Sequence, residues 1–386
     1  MLSLLRQAHV YAPDDLGIVD VLVADRRIAA IGADLPALPS ALEHVEVDLS
    51  GHLLIPGLVD AHVHVSGGGG EAGPATRVPP IALTHLTTAG VTSCVGVLGT
   101  DGTTRTVRDL VATTLGLREL GLSAWCYTGS YQVPPVTLTG SVRDDIVFID
   151  PILGVGELAL SDHRSSQPTL DELLRVASDA YVAGMISNKA GVVHCHMGSG
   201  ERGFDLLHQA LDQAEIPARV YHPTHINRER WLFDAARKLA DRGVTVDLTA
   251  FPDDGETLLA ADAVARWRAD GAPMDRLTCS SDGAGCLPTF DADGRLLHMD
   301  VGSPVTLLEA IQTLIAAGEP LAEVLPVFTS NVARQMALSG KGAIAVGADA
   351  DLVALTPAGE LRSVWAMGRP MVQGGQPCQF GLFETP

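Results

Sequence analysis

The middle of the chain alternates short apolar runs with stretches of helical character, and this alternation is the strongest constraint on its fold. Three helical stretches with the apolar runs that follow them are 169–184 with 191–198, 229–243 with 244–251, and 258–271 with 276–283. Strands that alternate with helices of this length favour a parallel sheet. With about eight such units, the pattern predicts an α/β fold, a (β/α)8 TIM-like barrel. We place this barrel at residues 56–341.

Both ends of the chain have a different texture, of short strands joined by tight turns. Residues 17–35 read as two strands around an Asp-Arg-Arg turn, and residues 44–57 read as two more around a Ser-Gly turn. Residues 349–375 have the same strand and turn texture. We therefore predict a small β-sandwich domain formed by both termini, from residues 1–55 and 342–386.

The charge of the chain argues against some classes of partner. Its 46 acidic and 26 basic residues give a formal net charge of −20, which repels nucleic acid and anionic membranes at long range. The chain has no run of about 18 apolar residues that would predict a membrane-spanning helix. We therefore expect a small-molecule substrate, with no nucleic-acid and no membrane partner. Six cysteines without a CxxC pair, and an N-terminus without a secretion signal, favour reduced thiols and a cytoplasmic location.

Side chains that bind metals stand where the predicted strands end. His62 and His64 close the first apolar run of the predicted barrel, and alternate residues on a strand share one face. The carboxyl ends of barrel strands build the active site, so side chains there converge. Histidine and carboxylate ligands suit a borderline divalent metal such as zinc. The predicted ligands are His62, His64, Glu157, His196, His225 and Asp282.

A single histidine at a strand end is more often structural or solvated than a ligand. The order along this chain favours a metal site, because a His-x-His pair, an acidic residue, two single histidines and a Ser-Ser-Asp run follow one another. The histidines expected not to bind metal are His163, His194, His208 and His222. Among them His194 is the main alternative ligand, because it shares a strand face with His196. The glycine run 67–70 is expected to let the backbone pass close to the metals and the substrate.

The motifs in this order resemble those of the isoaspartyl (β-aspartyl) dipeptidases of the amidohydrolase superfamily. The similar stretches are GGGGEAGPATR, GVTSCVGVLGTDG, GSYQVP, TGSV, SDHRS, HMG, PTHINR and SSDG, and the resemblance extends over almost the whole chain. That family hydrolyses dipeptides whose first residue is an aspartate linked through its side-chain carboxyl. The resemblance implies two divalent metal ions per chain, expected to be Zn²⁺, in a (β/α)8 barrel with a β-sandwich domain. It also implies a homo-oligomer.

The resemblance implies roles for individual residues. His62, His64 and Asp282 would hold the more buried metal, while His196 and His225 would hold the other. Asp282 would also act as the general base and acid of the hydrolysis. The residues implied to contact the dipeptide are Glu71, at its free α-amino group, Thr100 and Arg164, at its α-carboxylates, Arg228, and Tyr131, at the carbonyl oxygen that becomes negative.

Two positions depart from the family pattern. The family generally places a carboxylated lysine between the metals, whereas this chain has Glu157 near that place and only three lysines, Lys189, Lys238 and Lys341. A glutamate presents the same carboxylate head group on a shorter stem, so we expect Glu157 to bridge the metals. Cys286 stands where the family has a serine near the substrate, and a thiol is a weaker hydrogen-bond donor.

Three functions are compatible with these observations. The first is a β-aspartyl dipeptidase, in which the metal-activated hydroxide attacks the side-chain-linked amide. The second is another amidohydrolase, acting on a cyclic amide or an N-acyl amino acid. The third is a protein that kept the barrel for binding or assembly alone. The presence of all the predicted metal ligands argues against this third function.

Overall fold

The computed structural model describes residues 2–253, 255, 257–290 and 296–385. The strands are β1 Leu2–Tyr11, β2 Asp15–Ala24, β3 Arg27–Gly32, β4 His44–Asp48, β5 Leu53–Pro56, β6 Leu58–Val63, β7 Val91–Gly96, β8 Ser123–Thr128, β9 Ile152–Leu160, β10 Val192–Met197, β11 Tyr221–Thr224, β12 Val246–Thr249, β13 Leu277–Ser280, β14 Cys286–Phe290, β15 Leu296–Val301, β16 Leu352–Leu355, β17 Leu361–Ala366, β18 Arg369–Gln373 and β19 Gln376–Pro377. The α-helices are α1 Leu83–Thr87, α2 Val107–Glu119, α3 Val142–Phe148, α4 Leu170–Ser187, α5 Asp205–Gln213, α6 Arg230–Ala240, α7 Ala260–Ala269, α8 Val305–Ala316, α9 Leu321–Val324 and α10 Ser330–Gln335.

Strands from the two ends of the chain form one connected sheet. Its order is β19–β18–β17–β16–β5–β1–β2–β3, with β4 paired alongside β1. Strand β5 joins the two ends, since it pairs parallel with β1 and antiparallel with β16. One hydrophobic cluster contains buried side chains from both ends, among them Leu5, Val21, Leu54, Leu352 and Trp365. The β-structure predicted from both termini is thus present as a nine-stranded sheet.

The middle of the chain folds into the parallel strands that the alternating pattern predicts. Strands β6 to β11 form a six-stranded sheet in chain order, and β12 pairs with β13. The amide of Ile226, just after β11, donates to the Asp247 carbonyl on β12 at 3.3 Å. At the other margin, Val63 on β6 forms a bridge with Gly283, just beyond β13. The parallel sheet is therefore curled, and the carboxyl ends of its strands approach one another.

Helices cover the outside of this sheet, as the example of α4 illustrates. The helix begins at a capping box, in which the Thr169 side chain accepts from the Glu172 amide and the Glu172 carboxylate accepts from the Thr169 amide. This exchange satisfies two amides that would otherwise lack a partner at the helix start. Its buried face, which includes Leu173 and Ala177, packs in the same cluster as the strands. The helix ends where Asn188 adopts a left-handed conformation that returns the chain to β10.

The described part of the chain contains no helix with both the length and the apolar character needed to cross a bilayer. All six cysteines are free thiols, and Cys94, Cys126, Cys195 and Cys279 are buried. The reduced state of these thiols stays a prediction.

Candidate metal centre and adjoining cavity

Every predicted metal ligand lies at or just after the carboxyl end of a parallel strand, except Glu157, which lies inside β9. His62 and His64 belong to the end of β6, His196 to β10, His225 follows β11, and Asp282 follows β13. All are buried. The curl of the sheet brings these separate positions of the chain to one place.

The Glu157 carboxylate lies at the centre of the cluster. Its Oε2 atom is 3.4 Å from His62 Nε2, 3.2 Å from His196 Nδ1 and 3.7 Å from His225 Nε2. Its Oε1 atom is 3.7 Å from His64 Nε2. The two oxygens of one carboxylate therefore face four imidazoles, which is a geometry suited to more than one cation.

Asp282 completes the cluster on the side of the two first histidines. Its Oδ1 atom is 3.0 Å from His64 Nε2 and 3.4 Å from His62 Nε2. Three sets of side chains have ligand atoms close enough together to hold an ion: His62, His225 and Asp282; His62, His64 and Glu157; and Glu157, His196 and His225.

Two atoms of this cluster support a metal site independently of the pattern. Among the described residues, His62 Nε2 and Asp282 Oδ1 are buried and have no partner in hydrogen-bond geometry, although they lie 3.4 Å apart and His64 Nε2 lies 3.0 Å from Asp282 Oδ1. A buried polar atom without a partner costs about 1–3 kcal/mol, and a coordinated cation would satisfy both atoms. Nitrogen and oxygen donors of this kind fit zinc and similar divalent ions.

The electrostatics of the cluster also suit cations. Burial raises the pKa of the Glu157 carboxyl, but the imidazoles of His62, His196 and His225 outweigh burial and hold this pKa well below its usual range. Burial likewise raises the pKa of Asp282, and His62 and His64 bring it well below its usual range. Both carboxylates are therefore ionised, as metal binding requires.

Two of the predicted ligand histidines contact other buried groups. Thr249 Oγ1 lies 2.7 Å from His225 Nδ1, and Asp162 Oδ2 lies 3.1 Å from His196 Nε2. The alternative ligand His194 is not part of any of the three ligand sets. Its Nε2 atom instead lies 2.8 Å from Nδ1 of His62.

A cavity of about 840 Å³ opens above the cluster. The predicted site residues that line it are His64, Glu71, Thr100, Tyr131, Glu157, Arg164, His196, His225, Arg228, Asp282 and Cys286. His62 lies below them and is fully buried. The structure therefore brings the predicted substrate-binding residues to the same cavity as the predicted ligands.

Charged groups of both signs face this cavity. Glu71 Oε1 and Arg164 Nη1 are 3.7 Å apart, and the Arg228 guanidinium lies over the Phe251 ring at 5.9 Å from its centroid. The Tyr131 hydroxyl lies 2.8 Å from His196 Nδ1. Burial and the Glu157 carboxylate hold the pKa of Tyr131 well above its usual value, so this hydroxyl keeps its proton. Burial and Glu71 raise the pKa of the Cys286 thiol to about 11.

Asp162 is a residue of this site that the sequence analysis did not single out. Its carboxylate accepts from Arg164 Nε at 3.0 Å and from Arg164 Nη2 at 2.8 Å. The same carboxylate contacts His196, so it joins a predicted metal ligand to a predicted substrate-binding residue. An acidic residue two positions before the arginine of SDHRS was the available signal.

The glycine run comes as close to the site as its sequence predicts. A Cβ atom on Gly68 would lie 3.2 Å from the His64 ring and 3.1 Å from the Ala284 carbonyl oxygen. Gly69 has a φ of +75°, and a Cβ atom there would lie 2.4 Å from the Thr76 carbonyl oxygen. Side chains at these two positions would displace the backbone that borders the metal centre.

The three lysines of the chain lie elsewhere. Lys189 Nζ donates to the carbonyl oxygens of Ile146, Ile149 and Ile152 at 2.7–2.9 Å. Lys238 is exposed on α6, and Lys341 Nζ pairs with Asp351 at 2.6 Å. No lysine of the chain therefore belongs to the cluster, whose centre is the Glu157 carboxylate.

Comparison with known proteins agrees with this arrangement. The family model described as the amidohydrolase family matches residues 53–371. The chain belongs to the amidohydrolase family. A crystal structure of the β-aspartyl dipeptidase from Fervidobacterium islandicum AW-1, in complex with a β-Asp-Leu dipeptide, is 43% identical to it with a TM-score of 0.94. The match covers 99% of each chain. This member of the family is therefore a hydrolase.

More distant amidohydrolases share less with the chain. The dihydropyrimidinase of Brevibacillus agri is 16% identical with a TM-score of 0.67 over the full length of both chains, which is a likeness of fold. The dihydroorotase of Lactiplantibacillus plantarum is 26% identical over 48% of this chain and 41% of its own length. The chain therefore matches less than half the length of that curated relative.

Proposed function

We propose that this amidohydrolase hydrolyses β-aspartyl dipeptides with two divalent metal ions, expected to be Zn²⁺. The observation that carries the proposal is the pairing of Glu71 with Arg164 beside the six predicted ligands. A β-aspartyl residue carries its free ammonium and carboxylate on one carbon, so the substrate presents both charges together. An acidic and a basic side chain 3.7 Å apart are complementary to that pair. The 43% identity to a β-aspartyl dipeptidase supports the same assignment.

We propose that the predicted ligands form two sets around Glu157. We assign His62, His64 and Asp282 to the more buried ion, and His196 and His225 to the other. We propose that Glu157 bridges the two, since Oε1 faces His64 of the first set, while Oε2 faces both histidines of the second set and also His62 of the first. Because a glutamate supplies the anionic oxygens directly, no carboxylated lysine is needed.

The cations, when bound, would lower the pKa of a water molecule and polarise the scissile amide. The residues of the chain do the remaining work. Asp282, ionised and facing the cavity, would take the proton of the attacking water and pass it to the departing amine. Tyr131 keeps its proton and would donate a hydrogen bond to the oxygen that becomes negative.

The remaining residues of the cavity would orient the dipeptide. We propose that Glu71 binds the α-ammonium group, and that Thr100, Arg164 and Arg228 bind its carboxylates, for which a guanidinium offers two parallel donors. Cys286 would contact the substrate as a neutral thiol.

We extend the proposal to the whole chain. The contacts at both margins of the curled sheet support closure as a (β/α)8 barrel over residues 56–341. The cluster shared by strands of both termini supports a β-sandwich from residues 1–55 and 342–386. The free thiols support a cytoplasmic location, and the family resemblance supports a homo-oligomer.

The test measures metal content and hydrolysis on the same preparation. We expect two metal ions per chain and release of leucine from β-Asp-Leu.

N-acetylation of this dipeptide removes the charge that Glu71 binds, so we expect about tenfold or greater loss of kcat/KM. Asp282→Asn, which keeps the shape without the proton acceptor, should reduce hydrolysis at least about a hundredfold. Turnover of dihydroorotate, hydantoins or N-acetyl amino acids with none of β-Asp-Leu would overturn the assignment.

A further inference from the structure

A series of hydrogen bonds leads from the predicted ligand His62 through two buried imidazoles into the interior of the parallel sheet. His62 Nδ1 lies 2.8 Å from His194 Nε2, and His194 Nδ1 lies 3.0 Å from His222 Nδ1. His222 Nε2 lies 3.0 Å from Thr278 Oγ1. The Thr278 hydroxyl donates to Asp247 Oδ1 at 2.6 Å. All five residues are fully buried.

Asp247, at the far end of this hydrogen-bond series, is held in place. The other carboxylate oxygen of Asp247 accepts from the hydroxyls of Thr224, at 2.7 Å, and Ser280, at 2.6 Å. Asp247 is therefore held on β12 by hydroxyls from β11 and β13 on either side. An ionised Asp247 carboxylate can only accept hydrogen bonds, so the hydrogen-bond series ends there.

The orientation of His194, in the middle of this hydrogen-bond series, is also fixed. The Tyr127 ring stacks on His194 with a centroid distance of 5.0 Å and an angle of 5° between the planes. The Tyr127 hydroxyl donates to the carbonyl oxygen of Ala61 at 3.2 Å, next to His62 in the chain. The plane of His194 is thus defined by packing as well as by its two hydrogen bonds.

Each hydrogen bond of the series contains one proton. A metal ion bound to His62 sets the donor and the acceptor of every hydrogen bond in the series. If Nε2 of His62 binds a cation, that nitrogen carries no proton, so Nδ1 must carry it and donate to His194. His194 then donates through Nδ1 to His222, and His222 donates through Nε2 to Thr278. Thr278 donates to the Asp247 carboxylate. Each imidazole and the Thr278 hydroxyl then donates one proton, and the Asp247 carboxylate accepts the last hydrogen bond.

From this accounting we propose that His194, His222 and Thr278 are positioning residues, which fix His62 as the tautomer that binds metal through Nε2. The inference rests on the proposed metal centre and deepens it. It extends the general arrangement in which a carboxylate orients a ligand histidine through two further rings and a hydroxyl. His194 is then a support for a ligand and not a ligand, because both of its ring nitrogens are already engaged.

Thr278 offers the sharpest test, because it is three hydrogen bonds away from the metal. Thr278→Val removes the hydroxyl and keeps the branched shape, while Thr278→Ser keeps the hydroxyl and is the matched control. Zinc-loaded full-length proteins are titrated with a chelator, and the zinc remaining per chain is measured. The absorption spectrum of the Co²⁺-substituted proteins reports the ligand geometry at the same time.

We expect Thr278→Val to weaken the binding of one zinc ion by about tenfold, at the low end of the range for groups that support a ligand, and to leave the other ion unchanged. Thr278→Ser should bind both ions as the unmodified protein does. His194→Leu, which breaks the first hydrogen bond, should weaken the same ion at least as much as Thr278→Val.

Two results would overturn the proposed positioning role. One is equal zinc affinity and an equal Co²⁺ spectrum in Thr278→Val and the unmodified protein. The other is weakening of both ions alike in Thr278→Val and Thr278→Ser, which would indicate a packing role. If the unmodified protein takes up no metal, the proposed function itself fails, and this outcome is distinguishable from failure of the positioning role.

Discussion

Glu157 differs from the predicted histidine ligands because it carries a negative charge that four imidazoles face. A neutral imidazole supplies one lone pair to one ion, whereas the Glu157 carboxylate supplies a negative charge and two oxygens to the point that four imidazoles face. Its side chain is 1% exposed, so the charge is buried and must be compensated. The histidines do so in part, and two dications would do so fully.

The Glu157→Gln variant isolates this charge. The amide keeps the size of the side chain and removes the anion, so we expect loss of at least one of the two metal ions and of most hydrolysis of β-Asp-Leu. Metal analysis of the purified variant checks the first expectation. Glu309→Gln, at an exposed position on α8, is the matched control and should keep both ions. Added bicarbonate should leave the unmodified protein unchanged, because no carbamate has to form. Activity that requires bicarbonate would contradict the proposed role of Glu157.

Residues could be placed from the sequence where a motif and a strand end coincide. His62, His64 and Asp282 meet that condition, and the structure brings them together. Asp162, His194 and His222 could not be assigned in this way. Their contacts depend on distances across the sheet, and strand periodicity identifies the face of a side chain but not its partner on another strand. His194 and His196 share a face, yet only His196 reaches Glu157.

At the scale of elements, the glycine run is held in place by one buried cation. The Arg105 guanidinium donates to the carbonyl oxygens of Ser66, Gly68 and Val78, the last two at 2.8 and 2.9 Å. These carbonyls belong to the segment that carries Glu71 past the cavity. Burial and the neighbouring Arg77 lower the pKa of Arg105. Arg105 thus adds side-chain hydrogen bonds to a glycine-rich segment that is also held by backbone contacts, such as the one from the Gly68 amide to the Ala284 carbonyl oxygen.

Arg105→Met should therefore affect substrate binding more than the chemical step. The carbonyls of Ser66 and Val78 lose their donor, at about 1–3 kcal/mol for each unsatisfied group, whereas the Gly68 carbonyl still accepts from the Val78 amide. The segment with Glu71 is then less firmly positioned. We expect KM for β-Asp-Leu to rise about tenfold or more while kcat changes less. Steady-state kinetics measures both constants. Arg108→Met, an exposed arginine of α2, should match the unmodified protein. A fall in kcat at constant KM would refute this account.

The order of elements could be predicted because parallel strands and covering helices each leave a periodic pattern. The antiparallel pair β14–β15 was not predicted, since it is an insertion in the loop after β13 and interrupts the strand–helix alternation. Its residues Leu287, Met299 and Asp300 line the cavity. The boundaries at residues 55 and 342 remain a prediction; β5, which pairs with β16 in the terminal sheet, ends at Pro56, one residue beyond the predicted boundary.

At the scale of the whole molecule, a buried ion cluster joins the parallel sheet to the terminal sheet. Lys341 Nζ donates to Ser123 Oγ on β8 and to Asp351 Oδ2, both at 2.6 Å, and lies 2.9 Å from Asp349 Oδ2. Asp351 directly precedes β16. The Lys341 side chain is 4% exposed, so this cluster is shielded from solvent and its partners depend on one another.

Lys341→Met should destabilise the fold by about 3 kcal/mol near neutral pH, because it leaves a buried carboxylate without its cation. Burial already raises the pKa of Asp351, and Lys341 opposes that effect, so the substitution should raise this pKa further. A carboxyl whose folded pKa lies above its unfolded value contributes stability below the unfolded pKa and loses it as pH rises through the folded pKa. The loss of stability relative to the unmodified protein should therefore grow as the pH rises toward 7 from the already raised folded pKa of Asp351 in the unmodified protein. Urea unfolding of both proteins across this range measures it, with the exposed Lys238→Met as control. A difference in stability that is independent of pH would mean that Lys341 contributes through packing and not through the charge of Asp351.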